Sequence, residues 1–464
     1  MPKPVRITII NQFYLPDLSP TAHLAASLAN HRAGEGDEVT VVTSNAGYVE
    51  SPRWNEVVGQ SEDSSDLSGE RSEAATSASS YRTRNSASSR GRLATKSQRE
   101  VRVIRLAIPG GGKSSLRSRL GGYGGFTAGA WLRLALLPRQ DVIVSMTTPP
   151  YIVLAAFLHR LLHRRTKIVL WSMDVYPDTA EAFDQLGRGS LVSKLLRRIN
   201  TWIYPRLDHL VVLDSAMGEV LQRQYGSTDR PPTTIIPNWE PLASFPNPAT
   251  HSEAPGTSTA FEIWAEYSTN PQLANRDVVA YLGNTGTGHS FDTVIQAAGR
   301  LAHQNAAFLF VGGGVRRPTL ETAALALAEG RGAPIVLYDY VSREQVPSVF
   351  AGAMASLITL DDRAWGLMSP SKLHSALAAG LPIIYVGPTG TNVDEAIQRH
   401  GCGVSLRNGD VEGLVAAVKQ LSTDVAYREH LAQAARHAFE TSYCDAATLP
   451  EFDTVINGLV HRNR

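Results

Sequence analysis

Short apolar runs alternate with helical patterns along most of the chain. A continuous apolar run at 5–11 leads through a loop to a segment at 21–31 with helical apolar spacing, and a second run follows at 38–43. Continuous apolar runs predict strands covered on both faces, and the strand–helix–strand order predicts a parallel sheet with right-handed crossovers. The first half continues in this way, with predicted strands at 101–106, 142–146, 167–171, 209–213 and 233–236 and predicted helices at 151–163 and 190–204.

The second half repeats the pattern. It predicts strands at 278–282, 307–311, 335–338, 355–360 and 382–386, and helices from about residue 291 and at 371–379. A further helix is predicted to begin at Ser342, because Gln345 completes a capping box. The expected fold class is α/β, with two doubly wound parallel-sheet domains. We expect a first domain at 1–240, a linker at 241–274, a second domain at 275–445 and a C-terminal segment at 446–464 that forms a helix packing back on the first domain.

Residues 51–100 interrupt the alternation. They contain thirteen serines, charges of both signs and few aliphatic side chains. Such a segment buries too little apolar surface to offset the entropy of ordering it, so we expect a disordered surface insertion. A second weakly structured stretch is expected at about 246–260.

Charge and cysteine content narrow the class of protein. With 44 Lys and Arg against 43 Asp and Glu, the net charge of +1 argues against a nucleic-acid binder. Residues 1–208 carry 27 basic and 18 acidic side chains, whereas residues 209–464 carry 17 and 25, which indicates two domains with different partners. Two distant cysteines, Cys402 and Cys444, form no disulfide framework or zinc module and fit a reducing cytoplasm. We expect no signal peptide and no transmembrane segment.

The motif Ser369-Pro370-Ser371-Lys372 carries the strongest local signal. Ser369 suits a helix N-cap and Pro370 the first helical position, which puts Ser371 and Lys372 in the first turn. A cation is disfavoured at that end of a helix unless an anion lies between, so the motif indicates a phosphate site. A solvent-facing lysine on a well-capped helix is the equally weighted alternative.

Two other segments at strand ends could carry chemistry. The turn 283–288, GNTGTG, lies between a strand and a helix, where glycines let the backbone approach a diphosphate; a plain tight turn explains it equally well. Asp174 follows another strand and is a candidate acid, base or hydroxyl-orienting group. Its alternative role is to form the turn before Tyr176 and Pro177.

The basic excess of the first half is concentrated at 101–208, where apolar residues at helical spacing accompany arginines and lysines. A peripheral contact with anionic lipid is one interpretation. The other, which the sequence favours somewhat, is an amphipathic helix that packs its apolar face on the sheet and exposes its basic face.

Seven segments then occur in an order that resembles glycosyltransferase family 4, the group 1 glycosyltransferases. They are NQFYLPDLSPTA, SMTTPP, WSMDVYPD, IIPNW, YLGNTG, FVGGG and SPSKLHSALAAGLPIIYVG. The likeness is greatest to the branch of colanic-acid, O-antigen and N-acetyl-L-fucosamine transferases. The resemblance implies the GT-B fold, with two Rossmann-like domains facing a cleft, retention of anomeric configuration, and no required metal or cofactor beyond the nucleotide-sugar substrate.

The resemblance also implies roles for individual residues. By position, the donor would lie on Gly283, Asn284, Tyr340, Val341, Ser369, Ser371 and Lys372, and the acceptor or reacting centre beside Thr21 and Asp174. Lys372 and Asp174 would be the catalytic pair, with Lys372 neutralising the diphosphate. The chain departs from many members of the family, because Leu367 and Ser375 stand where those members carry two glutamates.

These points predict a retaining transferase that moves a sugar from a nucleoside-diphosphate sugar, UDP-linked by expectation, to a glycan or lipid-linked acceptor in surface polysaccharide synthesis. The expected location is cytoplasmic, at the inner face of the plasma membrane. Two alternatives stay open at this point: a sugar-nucleotide epimerase of the same fold, and a non-catalytic nucleotide-sugar-binding scaffold of a glycan assembly complex.

Overall fold

The structure is a computed structural model, and it describes residues 3–17, 19–45, 99–107, 116–226, 230–245, 262–302, 304–330 and 332–461. Apart from Arg99 and Glu100, the predicted insertion at 51–100 lies outside the described residues, as does the stretch at 246–260. The chain forms two compact units, Met1–Ala130 and Trp131–Arg464.

The first unit contains three parallel strands and a helix that connects two of them. The strands are β1 (Arg6–Ile10), β2 (Glu38–Ser44) and β3 (Arg102–Leu106), with β2 in the middle. Helix α1 (Pro20–Gly34) joins β1 to β2, and α2 (Leu116–Leu136) begins in this unit and runs into the second. The isoleucines of β1 are fully buried, as expected of a strand covered on both faces.

The second unit contains the remaining strands. They are β4 (Val142–Met146), β5 (Lys167–Trp171), β6 (His209–Val212), β7 (Thr233–Ile235), β8 (Asp277–Leu282), β9 (Ala306–Val311), β10 (Ile335–Tyr338), β11 (Ala355–Thr359), β12 (Ile383–Val386) and β13 (Gly403–Leu406). Parallel pairing joins β4 to β5, β5 to β6 and β6 to β7. In this unit the strands β8 to β13 form a separate sheet of six strands, in the order β10-β9-β8-β11-β12-β13.

The helices of the second unit fill the connections between these strands. They are α3 (Val153–Leu162), α4 (Asp178–Ala182), α5 (Leu191–Ile203), α6 (Ser215–Tyr225), α7 (Glu262–Ser268), α8 (Asp292–Arg300), α9 (Arg317–Gly330), α10 (Val346–Phe350), α11 (Lys372–Ala378), α12 (Asn392–His400), α13 (Val411–Thr423), α14 (Val425–Ala438) and α15 (Asp445–His461). None of the helices in the described ranges is long and apolar enough to cross a membrane.

Two apolar clusters cover the two faces of the six-stranded sheet. Val278 and Ala280 of β8 point into one cluster, and Val279 and Tyr281 point into the other. Helices α11 and α14 pack on the first face, whereas α8 and α13 pack on the second. The strand order reverses between β8 and β11, which pair over only two positions, Val279 with Ala355 and Ala280 with Ser356. In an open α/β sheet, the carboxyl ends of the strands at such a reversal border the ligand crevice.

Aromatic contacts tie the last helix to the sheet formed by β4 to β7. Phe452 of α15 lies 4.6 Å from the ring of Trp171 on β5 and 5.8 Å from that of Trp239. Within the predicted linker, α7 packs on the six-stranded sheet, because its Tyr267 stacks on Tyr338 at 4.0 Å. The domain limits given above stay a prediction.

Helix α11 begins later than the sequence predicts. Its N-cap is Ser371, which makes no side-chain capping bond, so the prediction of Ser369 as N-cap is wrong. A long-range contact precedes the helix, because Met368 forms a bridge with Asp174 immediately before Ser369. The predicted end holds, because Gly380 has φ +66 and its N–H donates to the carbonyl of Leu377.

Helix α5 buries polar and apolar side chains together. Ser193, Arg197 and Asn200 contact Glu181, Asp178 and Tyr176, and Ile203 is buried beside them. The exposed face carries large apolar side chains, Leu191, Val192, Leu195 and Trp202, which are 85, 55, 60 and 44% exposed. The predicted basic face is exposed at Lys194 and Arg198, but much of the apolar set also faces outward instead of packing on the sheet.

Candidate functional site

Two glycine turns meet where β8 and β9 end. Gly283, Gly312 and Gly314 have φ of +110, +134 and +137, a region that favours glycine. A Cβ on Gly312 would lie 2.3 Å from the carbonyl oxygen of Gly283, and a Cβ on Gly314 would lie 2.3 Å from the side-chain oxygen of Asn284. The backbones therefore approach so closely that side chains do not fit at these positions.

Lys372 lies beside the first of these turns. Its Nζ donates to the carbonyl of Asn284 at 3.2 Å, contacts His289 Nε2 at 3.2 Å and sits 4.8 Å from the centre of the Tyr281 ring. A Cβ on Gly283 would lie 3.5 Å from the Cε of Lys372, so the side chain runs along this glycine. The first residue of α11 is thus held against the carboxyl end of β8, at the reversal of strand order.

The electrostatics of Lys372 suit an anion. No carboxylate of the described residues lies within ion-pair distance of its Nζ. Burial lowers the pKa of Lys372 to about 7, because removal from water disfavours the charged ammonium. An incoming phosphate would supply an opposite charge and favour the protonated form.

The other residues predicted for the donor surround this turn unevenly. Tyr340 is 63% exposed, and its hydroxyl donates to the carbonyl of Gly313 at 3.0 Å and lies 3.4 Å from the side-chain oxygen of Asn284. Val341 is half-buried and packs on the apolar cluster. Ser371 is the N-cap of α11. The structure thus brings Gly283, Asn284, Tyr340 and Lys372 together around the glycine turns.

Ser369 belongs to the loop that joins this turn to Asp174. Its neighbour Met368 forms the backbone bridge to Asp174, and a Cβ on Gly288 would lie 2.4 Å from the sulfur of Met368. The N–H of Val175 donates to the carbonyl of Leu367 at 2.9 Å. One loop therefore contacts both the first glycine turn and the end of β5.

Asp174 lines a cavity at the carboxyl ends of β4 and β5. The cavity is small, with room of about 30 Å³ for water. Its polar lining consists of Thr147, Tyr151, Asp174, Tyr176, Asn200 and Tyr204. Burial raises the pKa of Asp174 to about 6, which brings this carboxyl closer to the range of a general acid or base.

Thr21 and the two departures from the family pattern complete the predicted set. Thr21 is half-buried at the second position of α1 in the first unit, and its acceptor role stays a prediction. Leu367 is buried, and the hydroxyl of Ser375 donates to the carbonyl of Lys372 at 3.3 Å. Neither residue places an acid where many family members have one.

Sequence reasoning missed several residues of this site. His289 ends the segment GNTGTGH but carries no motif of its own, and its role becomes visible only through its contact with Lys372. Thr147 and Asn200 come from distant elements and meet only at the cavity. Within the described ranges, no group of three or more His, Cys, Asp or Glu side chains could hold a metal ion.

Comparison with known families agrees with this architecture. Residues 21–239 match the family model of the glycosyl transferase 4-like domain, and residues 276–424 match that of the glycosyl transferases group 1. The chain belongs to the family 4 glycosyltransferases. This glycosyltransferase has its glycine turns, Tyr340 and Lys372 within the group 1 match, and Asp174 within the other.

Two curated relatives are similar to this glycosyltransferase. The probable glycosyltransferase WbjE of Pseudomonas aeruginosa is 24% identical over 70% of this chain and 76% of its own length. The putative colanic acid biosynthesis glycosyl transferase WcaI of Escherichia coli K12 is 23% identical over 50% of this chain and 54% of its own length.

Solved structures share the fold. Sucrose-phosphate synthase from Thermosynechococcus elongatus superposes with a TM-score of 0.65 at 14% identity, covering 99% of this chain and 100% of its own. Anabaena Alr3699/HepE, solved in complex with UDP and glucose, superposes with a TM-score of 0.63 at 11% identity, covering 98% of this chain and 99% of its own. The fold of this glycosyltransferase is therefore GT-B, as predicted.

Proposed function

We propose that this protein is a retaining transferase that moves a sugar from a nucleoside-diphosphate sugar to a glycan or lipid-linked acceptor in surface polysaccharide synthesis. The observation that carries the proposal is the placement of Lys372 against the glycine turns without a carboxylate of the described residues beside it. Glycine turns bring backbone N–H groups close to a diphosphate, and the ammonium balances its charge. UDP is the proposed nucleotide, since HepE, which shares the fold, was solved with UDP and glucose.

In the proposed step, the bond between the anomeric carbon and the diphosphate oxygen breaks, and its electron pair goes to the leaving diphosphate. The acceptor hydroxyl forms the new bond to the anomeric carbon on the same face, and its proton passes to the departing phosphate. Lys372 stabilises the charge that grows on the diphosphate. Gly283, Asn284 and Ser371 would border the diphosphate, Ser369 the donor sugar, and Tyr340 with Val341 the base.

The surface around Asp174 is the proposed acceptor site. It lies at the carboxyl ends of β4 and β5, the edge at which open α/β sheets bind ligands. Asp174 would orient the acceptor hydroxyl, and the bridge from Asp174 to Met368 links this surface to the loop beside the donor turn.

We also propose that the exposed face of α5, formed by Leu191, Val192, Leu195 and Trp202, rests on an anionic lipid surface. Exposed basic side chains flank these residues, namely Lys194, Arg198 and Arg206. Each basic residue near such a surface contributes about 1 kcal/mol to binding. Because Asn200 of the same helix lines the cavity at Asp174, this contact would bring a lipid-linked acceptor to the acceptor site.

A thermal-shift panel of nucleotides and nucleotide sugars tests the donor, because a ligand that binds only the folded state raises its stability. We expect UDP and a UDP-sugar to raise the unfolding temperature of the wild type but not that of Lys372→Ala. Transfer is then followed by nucleotide release with and without acceptor, and the product anomer by NMR. Altered sugar formed from donor alone would instead indicate an epimerase, and an inverted anomer would refute retention.

Vesicle co-sedimentation at low salt tests the lipid contact. We expect binding to anionic vesicles but not to zwitterionic ones, and loss of binding in the double variant Leu191→Glu, Leu195→Glu. Leu325→Glu is the matched control, because Leu325 is 72% exposed on α9. Equal sedimentation with both vesicle types, or unchanged binding of the double variant, would contradict the proposal.

A further inference from the structure

His289 has one ring nitrogen on the backbone and the other on Lys372. Its Nδ1 lies 2.6 Å from the carbonyl oxygen of Thr359, and its Nε2 lies 3.2 Å from Lys372 Nζ. A carbonyl oxygen only accepts, so Nδ1 carries the proton and Nε2 presents its lone pair. The bond therefore has a direction: Lys372 donates and His289 accepts.

The surroundings of His289 keep its ring neutral. The ring packs edge-on against Tyr281 at 5.9 Å and lies 6.4 Å from Phe291. Burial, and then the positive charge of Lys372, lower the pKa of His289 to about 3. A neutral ring at physiological pH accepts a hydrogen bond without competing as a cation for the same anion.

The contacts of Lys372 leave room for a ligand. An ammonium has three N–H groups. The hydrogen bonds that the described residues make with Nζ use two of them, one to His289 and one to the carbonyl of Asn284. Both acceptors lie on the segment from β8 to α8, so together they fix the direction of a long and otherwise flexible side chain.

We propose that His289 is a positioning residue for sugar transfer, which holds Lys372 Nζ over the turn 283–288 so that its third N–H meets the donor diphosphate. The inference rests on the proposed function and goes beyond it, because it assigns a second residue to the charge-stabilising group. It also explains why an uncharged ring occupies this place: a second cation here would repel Lys372 and weaken the hold on its side chain.

The test compares His289→Leu with His289→Gln. Leucine fills much of the same volume but accepts no hydrogen bond, so we expect kcat to fall about tenfold or more, the equivalent of losing one hydrogen bond to a charged group. Glutamine places an amide oxygen near the position of Nε2 and should keep kcat within about threefold of wild type. His289→Asn is too short to reach Lys372 and should behave like the leucine variant.

A double-mutant cycle separates positioning from a general effect on folding. If His289 acts through Lys372, adding His289→Leu to Lys372→Met should change kcat by less than about twofold. Additive losses, or equal losses in the glutamine and leucine variants, would overturn the proposal. Should the leucine variant fail to fold, the comparison of glutamine with asparagine decides in the same way. If UDP and UDP-sugars do not raise the unfolding temperature of the wild type, the proposed function fails. If they raise it and His289→Leu retains full kcat, only the positioning role of His289 fails.

Discussion

Replacing Lys372 by alanine removes the ammonium that the structure places on the glycine turn. Two unit charges about 4 Å apart at an effective dielectric constant of about 20 interact by about 4 kcal/mol. Loss of a preorganised donor at a developing negative charge costs about 3–4 kcal/mol. With a pKa of about 7, about half of the Lys372 side chains are charged at pH 7 before the donor binds, which reduces the effect only about twofold. We therefore expect turnover to fall by about 100-fold or more.

Although the loss of Lys372 should lower turnover, Lys372→Met should raise the stability of the folded protein. The pKa of Lys372 falls from 10.5 to about 7 in the folded protein because burial disfavours the charged form. Below pH 7 the folded chain therefore holds a charge that burial penalises, and this penalty disappears as the pH rises toward 10.5. A methionine lacks the charge, so the variant should unfold at a higher temperature than wild type at about pH 6 and converge with it at about pH 10.

Two assays read these effects separately, namely nucleoside-diphosphate release in the presence of acceptor and thermal unfolding followed by circular dichroism. Lys419→Met is the matched control, because Lys419 is exposed on α13, and it should change neither readout. Turnover of Lys372→Ala within about threefold of wild type would refute the role in transfer. A lower unfolding temperature of Lys372→Met at about pH 6 would refute the reasoning about a buried charge.

Three further predictions concern the frame of the site. Arg197→Met removes the ion-pair partner of Asp178 and Glu181, whose carboxylates are 4 and 2% exposed. It should lower the free energy of unfolding in urea by about 3–5 kcal/mol, whereas Arg223→Met, at an exposed ion pair, should lower it by less than about 1 kcal/mol. Equal losses in the two variants would contradict this. Gly312→Ala places a Cβ 2.3 Å from the carbonyl oxygen of Gly283, at a φ of +134, so the turn must distort and UDP should no longer raise the unfolding temperature. Gly330→Ala is the control, because a Cβ there meets no atom within 4 Å, and it should keep the shift. Because the pKa of free Lys372 is about 7, donor binding at about pH 8 should be coupled to the uptake of a proton at this side chain. The binding heat measured by calorimetry should therefore depend on the ionisation enthalpy of the buffer in wild type and not in Lys372→Met. The affinity for the donor should decline as the pH rises above 7.

The sequence predicts the strands well because their signal is local. Predicted strands at 142–146, 167–171 and 335–338 coincide with β4, β5 and β10. The capping box at Ser342 is also present, although it opens a short 3-10 turn that leads into α10. Each strand is signalled by a short run of consecutive apolar residues, and the capping box by two hydrogen bonds between Ser342 and Gln345. Both signals come from residues within a few positions of one another.

The sequence fails where distant segments decide the outcome. The segment before α11 pairs Met368 with Asp174, which lies far away along the chain, and no local pattern predicts this bridge. The amphipathic pattern of α5 is plain in the sequence, but periodicity alone does not say which face turns inward. Here the carboxylates of α4 decide it, because Asp178 and Glu181 draw Arg197 inward.

The candidate site divides in the same way. Gly283, Asn284, Tyr340 and Lys372 could be found because the family motifs mark their positions, and the structure brings them together. His289 could not be found, because a hydrogen bond to a lysine from another strand connection leaves no periodic or motif signal. Its importance depends on geometry alone.

The packing of α5 separates what keeps this helix in place from what it shows to its surroundings. Its attachment comes from Arg197, Ser193, Asn200 and the buried Ile203, while Leu191 and Leu195 are mostly exposed. Substitutions on the outer face therefore cost little folding free energy. Selection could refit this surface to another lipid composition or another protein while the catalytic frame stayed intact, and an engineer could make it fully hydrophilic for crystallisation by the same route.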